Sequence, residues 1–283
     1  MLIDAHAHMD RYDLVGAEAL SSALEEIRQH RIFTISNSMD LPSYQRNLEI
    51  ARDCAFILPI FGVHPWNAPQ VADHLDDLAP AIEQSPMLGE IGLDHHFVED
   101  ASREDASRED VSREEGTHYP AQRRVLEFFL AAARDQGKIV NLHTKGAEEE
   151  VLRLLDDYGI QRAIVHWYSG PLDVFHELVA RGLYFTVGIE VRHSDHLRTI
   201  ARQVPSALLL TETDNPGGPR SFIGRPGTPC LIEDVVRALA EVRGVSPEAI
   251  VEMVQANLRT LIQDDQALAS RYTRLLGERP TAS

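Results

Sequence analysis

The chain contains a series of short apolar runs, and several of them end on a side chain of a type that binds metal ions. The first run ends at the pair His6 and His8. Later runs also end at a histidine or an acidic residue, and the last of them lies beyond residue 210. Because the carboxyl ends of parallel strands meet at one face of a barrel, ligands distributed in this way can converge on one site. The pattern therefore predicts a metal site at the mouth of a parallel barrel. The candidate ligands are His6, His8, Glu90, His143, His166 and Asp214.

The apolar runs alternate with amphipathic stretches of helical period. Strands are predicted at 2–6, 31–36, 56–62, 87–91, 138–142, 162–166, 183–187 and 207–212. Helices are predicted at 17–29, 41–53, 72–84, 121–136, 147–158, 172–181, 193–203 and 231–242, with two more within 246–276. Eight strands with helical crossovers favour an α/β fold, a (β/α)8 TIM barrel that forms one domain over residues 1–283. The alternative is a doubly wound sheet, but such a sheet gathers its ligands at one switch point.

Composition and charge narrow the class of protein. Hydrophobic residues make up 43% of the chain and charged residues 25%, a balance typical of globular proteins. The formal net charge is -17 and no basic stripe is evident, so the outer surface is not expected to bind long nucleic acid. The two cysteines, Cys54 and Cys230, belong to no CxxC pair. No signal peptide or membrane-spanning run is visible, which predicts a cytoplasmic enzyme with no membrane partner.

One segment departs from the pattern of strands and helices. Residues 101–115 read ASRED-ASRED-VSREE and form most of a charged, low-complexity insertion at 99–116. A step of five residues advances about 140° around a helix that has 3.6 residues per turn, so no apolar face recurs. One interpretation is a tolerated surface expansion, which costs little free energy. The other is a lid or an arm that docks a protein partner, because the insertion follows the strand that carries Glu90.

The spacing of the candidate ligands suggests a role for each. His6 and His8 are two residues apart and project to the same side of a strand, and Asp4 shares that parity and is a candidate to orient one imidazole. Glu90 is a single carboxylate in an apolar run and is the candidate to bridge two ions, which lie ~3.5–4 Å apart in two-metal sites. A structural role would explain each of these residues if it occurred alone. Only their occurrence together, at the ends of several predicted strands, indicates a metal site. The imidazoles that suit a second ion are His143 and His166.

These residues lie in motifs that resemble those of the TatD family of metal-dependent hydrolases, within the wider amidohydrolase-like TIM barrels. The motifs occur in the family's order and cover nearly the whole chain apart from the insertion. They are Ile3-Asp4-Ala5-His6-Ala7-His8, Gly62-Val63-His64-Pro65, Gly89-Glu90-Ile91-Gly92-Leu93-Asp94, Leu142-His143-Thr144-Lys145, His166-Trp167-Tyr168-Ser169-Gly170, Glu212-Thr213-Asp214-Asn215-Pro216 and Asn257-Leu258-Arg259.

The resemblance implies two divalent metal ions, either Mg²⁺, Mn²⁺ or Zn²⁺. It implies that Glu90 is the bridging ligand and that His64 lies near the substrate phosphate. Family members are typically described as DNases, often 3′–5′ exonucleases that act on single strands. The implied ligands are His6, His8, Glu90 and Asp214 for one ion, and Glu90, His143 and His166 for the other.

This chain departs from the family's usual pattern beside the ligands. Lys145 stands where an arginine is usual, and a lysine lacks the planar bidentate fork of arginine. Trp167 stands where a cysteine is usual, and the His95-His96 pair replaces an aromatic pair. These changes leave the metal ligands intact and affect the residues expected to contact substrate, which are His64, Lys145 and Trp167.

The primary hypothesis is metal-assisted hydrolysis of a phosphodiester at a nucleic-acid end, with Asp214 orienting the nucleophile and taking its proton. Glu90 supports this catalysis as the bridging carboxylate, and His64 with Lys145 stabilises charge on the phosphoryl group. An alternative keeps the metals but takes an ester or amide substrate, such as a misacylated tRNA or a small acyl compound. A third hypothesis is a catalytically inactive scaffold that acts through the 101–115 repeat, which the complete ligand set argues against.

Overall fold

The computed structural model describes residues 1–95 and 118–277 of the chain. In these ranges β-strands alternate with helices. The strands are β1 (Leu2–Ala7), β2 (Ile32–Ser36), β3 (Ile57–Pro59), β4 (Leu88–Gly92), β5 (Val140–His143), β6 (Ala163–Val165), β7 (Tyr184–Val187) and β8 (Leu209–Thr211). The α-helices are α1 (Ala19–His30), α2 (Leu41–Asp53), α3 (Ala68–Val71), α4 (Ala79–Gln84), α5 (His118–Gln136), α6 (Glu148–Tyr158), α7 (Leu172–Ala180), α8 (Asp195–Gln203), α9 (Arg220–Ile223), α10 (Leu231–Arg243), α11 (Pro247–Ile262) and α12 (Gln266–Gly277).

The described chain divides into two compact units. The first unit contains residues 1–36, 48–58 and 187–283, and the second contains residues 37–47 and 59–186, in both cases as far as the structure describes them. The chain passes from one unit to the other after β2, within α2, within β3 and within β7. The expectation of one domain over 1–283 stays a prediction.

In the first unit, β1 lies between β2 and the end of β8. β1 and β2 are parallel, with Leu2 opposite Ile32 and Asp4 opposite Thr34. On the other side of β1, the hydroxyl of Thr211 donates a hydrogen bond to the carbonyl of Ile3 at 2.5 Å. Strand β1 is therefore held on both sides, and its carboxyl end is fixed where the two histidines lie.

In the second unit, β4, β5, β6 and β7 are parallel neighbours in that order. Gly92 lies opposite His143 in the register of β4 with β5. Val165 at the end of β6 lies opposite Phe185 on β7. The carboxyl ends of consecutive strands therefore lie side by side, which brings residues that are distant in sequence close together.

The helices cover the apolar strands, and their ends follow local sequence signals. Helix α11 begins as the Ser246-Pro247-Glu248 sequence predicts, because the hydroxyl of Ser246 accepts a hydrogen bond from the amide of Ala249. Its buried Asn257 donates hydrogen bonds to the carbonyls of Ser206 and Leu209, which tie α11 to the start of β8.

The predicted strands and most of the predicted helices are confirmed, with one correction. A single helix was expected at 72–84, but this region contains a 3-10 turn, Leu75–Leu78, followed by the short helix α4. The proline at position 80 has no amide hydrogen, and its ring would clash with the carbonyl four residues earlier in a continuous helix. Helices α3 and α9 were not predicted from the sequence. The insertion at 99–116 and its repeat lie outside the described residues. Within the described ranges, none of the helices has the length and apolarity that crossing a membrane requires.

Candidate metal centre

The first group of predicted ligands lies at the carboxyl end of β1 in the first unit. The Nε2 atoms of His6 and His8 are 3.3 Å apart. The Oδ1 atom of Asp214 lies 3.8 Å from Nε2 of His6 and 3.4 Å from Nε2 of His8. Two imidazole nitrogens and one carboxylate oxygen therefore point to a common volume, as expected of ligands for a divalent ion.

Asp4 fixes the backbone that leads to Asp214. Its carboxylate accepts hydrogen bonds from the amide of Thr213 at 2.9 Å and from the hydroxyl of Thr213 at 2.6 Å. Burial raises the pKa of Asp4 to about 7, although the hydrogen bonds from Thr213 act in the opposite direction. Asp4 thus positions the residue before Asp214, and its role in orienting an imidazole stays a prediction.

The backbone of Asp214 itself has an uncommon conformation. Its φ of 51° lies in the left-handed region, which non-glycine residues rarely adopt. The amide of Asp214 donates to the carbonyl of His6 at 2.9 Å, and the amide of His8 donates to the carbonyl of Asn215 at 2.8 Å. The surrounding hydrogen bonds hold this strained conformation, which is a common feature of functional sites.

The second group of predicted ligands lies in the second unit and is centred on Glu90 of β4. Its Oε1 atom is 2.8 Å from Nδ1 of His143 and 2.8 Å from Nε2 of His166. The three side chains are buried. A carboxylate and two imidazoles from three neighbouring strand ends therefore converge, as the sequence predicted for these residues.

His143 lies between two carboxylates. Its Nδ1 contacts Glu90 and its Nε2 contacts Oδ2 of Asp94 at 2.9 Å. Burial lowers the pKa of the His143 imidazole, but the hydrogen bonds to Asp94 and Glu90 outweigh this effect and raise the pKa to about 9. Two carboxylates at one imidazole form an environment of concentrated negative charge that favours a cation.

His64 lies beside this group with a defined tautomer. Its Nδ1 accepts a hydrogen bond from the backbone amide of Trp66 at 3.2 Å. A neutral imidazole that accepts at Nδ1 carries its proton on Nε2. The Nε2 atom lies 3.5 Å from Oε1 of Glu90, so His64 presents a donor to the volume next to the ligands. This suits a residue that binds an anionic group.

Two glycines allow the backbones around Glu90 to approach closely. A Cβ atom on Gly92 would lie 1.9 Å from the carbonyl oxygen of His143, and a Cβ atom on Gly62 would lie 2.6 Å from the amide nitrogen of Glu90. No side chain fits at such distances. The strand that carries Glu90 can therefore lie against its neighbours only because both positions are glycine.

The predicted substrate residues Lys145 and Trp167 contact each other. The ammonium group of Lys145 lies 4.8 Å from the centroid of the Trp167 indole, as in a cation–π interaction. The same nitrogen donates hydrogen bonds to the carbonyl of Trp167 at 2.9 Å and to the hydroxyl of Ser169 at 3.1 Å. Lys145 is therefore an oriented cation.

Asp94 and Trp66 were given no role from the sequence, although both belong to this environment. Asp94 Oδ2 accepts a hydrogen bond from the indole nitrogen of Trp66 at 2.9 Å as well as from His143. Asp94 lies four residues after Glu90 but beyond the end of β4, so strand parity does not place it beside Glu90. The available signal for Asp94 was its position in the Gly89-Glu90-Ile91-Gly92-Leu93-Asp94 motif. For Trp66, the only sequence signal of a place in this site was its position directly after the His64-Pro65 dipeptide.

The donor atoms present fit divalent metal ions. The ligand atoms of His64, Glu90 and His143 all lie within 4.8 Å of one another. Imidazole nitrogens and carboxylate oxygens are the usual ligands of Zn²⁺ and Mn²⁺, whereas Mg²⁺ prefers oxygen. Among the described residues, the second unit also supplies His166, and the first supplies His6, His8 and Asp214. The role of Glu90 as a bridge between two ions stays a prediction.

Comparison with known proteins identifies the fold and a family. The family described as TatD related DNase matches residues 3–263. The chain is 26% identical to an uncharacterized metal-dependent hydrolase, YabD, of Bacillus subtilis, over 93% of this chain and 99% of the relative. It is 27% identical to the 3′-5′ ssDNA/RNA exonuclease TatD of Salmonella typhimurium, over 77% of this chain and 83% of the relative.

A solved structure supports the predicted architecture. The crystal structure of YjjV, a TatD homologue from Escherichia coli K12, superposes with a TM-score of 0.70 at 23% identity, over 92% of this chain and 97% of that one. The fold is the (β/α)8 barrel of these proteins, which confirms the predicted fold class and excludes the doubly wound sheet.

Proposed function

Because the chain belongs to the TatD family of metal-dependent hydrolases, we propose that it hydrolyses phosphodiester bonds at the ends of single-stranded nucleic acid. The proposed activity is that of a 3′–5′ exonuclease-like DNase with two divalent ions, Mg²⁺, Mn²⁺ or Zn²⁺. The observation that carries this proposal is the 2.8 Å approach of Glu90 to both His143 and His166. A relative of similar sequence is named as an exonuclease of single-stranded DNA and RNA.

Each group of ligands is proposed to hold one ion. His6, His8 and Asp214 would hold an ion in the first unit, and Glu90, His143 and His166 in the second. Bound divalent ions supply a Lewis acid for phosphoryl oxygens and make a nucleophile available at neutral pH. Glu90 contributes by keeping the two imidazoles oriented and by placing negative charge beside them.

Asp214 is proposed to orient the attacking water and to take its proton. Its side chain is 16% exposed, whereas that of His6 is fully buried. A carboxylate with partial access to solvent can contact water and substrate, and a carboxylate within hydrogen-bond reach can act as a general base. The fixed left-handed backbone at Asp214 keeps this group in one place.

His64 and Lys145 are proposed to bind the substrate phosphate, with Trp167 beside them. The Nε2–H group of His64 can donate to a phosphoryl oxygen next to Glu90. Lys145 adds a positive charge whose direction is set by Trp167 and Ser169. Donors that are oriented before the substrate binds stabilise developing charge without reorganisation.

A second candidate function is hydrolysis of an ester or amide, such as a misacylated tRNA or a small acyl compound. The net charge of -17 favours it over a nuclease that grips a long strand. Lys145 also favours it, because a lysine lacks the bidentate fork with which an arginine binds phosphate. The same metal ligands would serve both reactions.

The test compares the wild type with a double variant, His143→Ala with His166→Ala, on single-stranded DNA, RNA and acyl esters with each metal. The double variant should lose metal-dependent cleavage, whereas His74→Ala with His196→Ala removes two exposed imidazoles and should not. Oligonucleotides labelled at either end report the polarity. Cleavage by the double variant at the wild-type rate would exclude the assignment, and turnover of acyl esters alone would establish the second function.

A further inference from the structure

Trp66 is an exposed aromatic side chain beside a group of buried polar residues. It is 44% exposed, whereas His64, Glu90, Asp94 and His143 are all buried. The other large apolar side chains that are exposed among the described residues are Leu14, Val15 and Val245, which are aliphatic. The exposed surface of the ring lies outside the core, where another molecule can contact it.

The orientation of Trp66 is fixed by the same residues that surround the candidate ligands. Its indole N–H donates to Asp94 Oδ2 at 2.9 Å, and its backbone amide donates to Nδ1 of His64 at 3.2 Å. Its ring centroid lies 4.6 Å from that of His64, with an angle of 70° between the planes. The indole is therefore preorganised, and a continuous chain of contacts links it to Glu90 through Asp94 and His143.

The chemistry of the exposed part of Trp66 restricts what it can bind. The indole N–H group donates to Asp94, and the remainder of the indole is a carbon framework. This framework cannot bind a metal or accept a hydrogen bond, but it can stack on another flat aromatic group. Proteins that bind single-stranded nucleic acid use aromatic side chains in this way, because every base has a π-face.

We infer that Trp66 is a stacking platform for a nucleobase of the substrate, next to the phosphodiester that the Glu90 group acts on. The inference rests on the proposed phosphodiesterase function and names the part of the substrate that Trp66 recognises. It also explains how a protein of net charge -17 can hold an oligonucleotide end, since stacking adds affinity that does not depend on basic residues.

The test uses two variants that separate stacking from support of Asp94. Trp66→Ala removes the ring, and Trp66→Phe keeps a π-face but removes the hydrogen bond to Asp94. Val245→Ala, at a position of similar exposure in the first unit, is the control. The substrates are a short single-stranded oligonucleotide and the same strand with abasic residues at its 3′ end. Binding is measured by the fluorescence anisotropy of the strand labelled at its 5′ end, which reports on the wild type and on variants without Trp66 alike.

Trp66→Ala should weaken binding of the base-bearing strand about 5- to 150-fold, which is the range for loss of one base–aromatic stack. The abasic strand should bind the wild type and Trp66→Ala equally, and Trp66→Phe should stay within about threefold of the wild type. Equal impairment by Phe and Ala would show that the indole only supports Asp94 and would overturn the inference. Equal binding of the base-bearing and the abasic strand by the wild type would also overturn the inference, even if the protein cleaves the strand. Base-dependent binding without cleavage under any metal would instead refute the proposed function and leave the platform in place.

Discussion

Asp4 and Thr213 form a two-point contact, in which both carboxylate oxygens of Asp4 accept hydrogen bonds from Thr213 at 2.9 and 2.6 Å. The contact joins the strand of His6 and His8 to the residue that precedes Asp214. Three candidate ligands therefore depend on one buried carboxylate that would not itself bind the metal. Residues that hold metal ligands in place without binding the metal themselves commonly have a large effect on metal affinity.

The first prediction concerns this contact. Asp4→Asn keeps the size of the side chain but removes its charge, so the charge-assisted hydrogen bonds from the amide and the hydroxyl of Thr213 are weakened. We expect the affinity for Mn²⁺ or Zn²⁺ to fall about 10- to 100-fold, as measured by isothermal titration calorimetry. Asp53→Asn, on the surface of α2, is the matched control. Wild-type affinity in Asp4→Asn would show that Asp214 is positioned by the backbone alone.

The second prediction concerns Asp94, which accepts hydrogen bonds from His143 and Trp66. Asp94→Asn removes the charge that orients the His143 imidazole. We expect kcat/KM on an oligonucleotide to fall about 10- to 100-fold, with a parallel loss of metal affinity. Trp66→Phe breaks only one of the two hydrogen bonds and should leave metal affinity unchanged. Asp76→Asn, on the exposed 3-10 turn, is the control. The same loss in this variant would show that the effect comes from the change in net charge and not from the contact of Asp94 with His143.

The strands and the candidate ligands could be predicted from the sequence because both leave local signals. A buried strand is a short apolar run, and a ligand at its end is the first polar residue after that run. Glu90, His143 and His166 were found in this way and do converge. The family resemblance then supplied roles that spacing alone could not assign.

The partners of those ligands could not be predicted, because they depend on distance in space. Asp94 and His143 are 49 residues apart, and Asp4 and Thr213 are 209 residues apart. Strand parity placed Asp4 on the correct side of β1 but could not select its partner on another strand. The break in the predicted 72–84 helix was visible in principle, because the proline at position 80 marks it.

The third prediction concerns metal removal. The Glu90 group places two buried carboxylates, Glu90 and Asp94, around one imidazole, so a bound cation should stabilise the folded state. At a metal concentration of about 100 times Kd the stabilisation is about 2.7 kcal/mol, which corresponds to a rise in Tm of about 5–10 °C for a chain of this size. Differential scanning fluorimetry with and without EDTA measures the shift.

The variant that carries His143→Ala and His166→Ala is the reference for this shift. It lacks two of the three ligands in the second group and should show a clearly smaller rise in Tm on addition of metal. An identical rise in the variant and the wild type would mean that the ion binds elsewhere on this acidic protein.

The fourth prediction concerns the repeat at 101–115, which lies outside the described residues. Deleting it removes three arginines and six carboxylates and shortens the insertion by fifteen residues. If the repeat is a tolerated expansion, stability should change by less than about 1 kcal/mol, because loop-closure entropy depends only weakly on length. Turnover and oligomeric state, measured by steady-state kinetics and by light scattering, should also stay the same. A change in either would establish the segment as a lid or a docking arm.

The last prediction concerns Asn257, which we expect to contribute to the free energy of unfolding but not to metal affinity. Asn257 of α11 donates two hydrogen bonds, to the carbonyls of Ser206 and Leu209, at 2.7 and 2.8 Å. Asn257→Ala leaves both carbonyls without this donor in a buried place, which should lower the free energy of unfolding by about 1–3 kcal/mol. Urea unfolding measures the loss, and Thr260→Ala on the exposed side of the same helix should change stability by less than about 0.5 kcal/mol. Because Asn257 anchors the start of β8 and not the strand end that leads to Asp214, metal affinity should be unchanged. A fall in metal affinity together with stability would show that the anchor at the start of β8 also positions the ligand beyond its end.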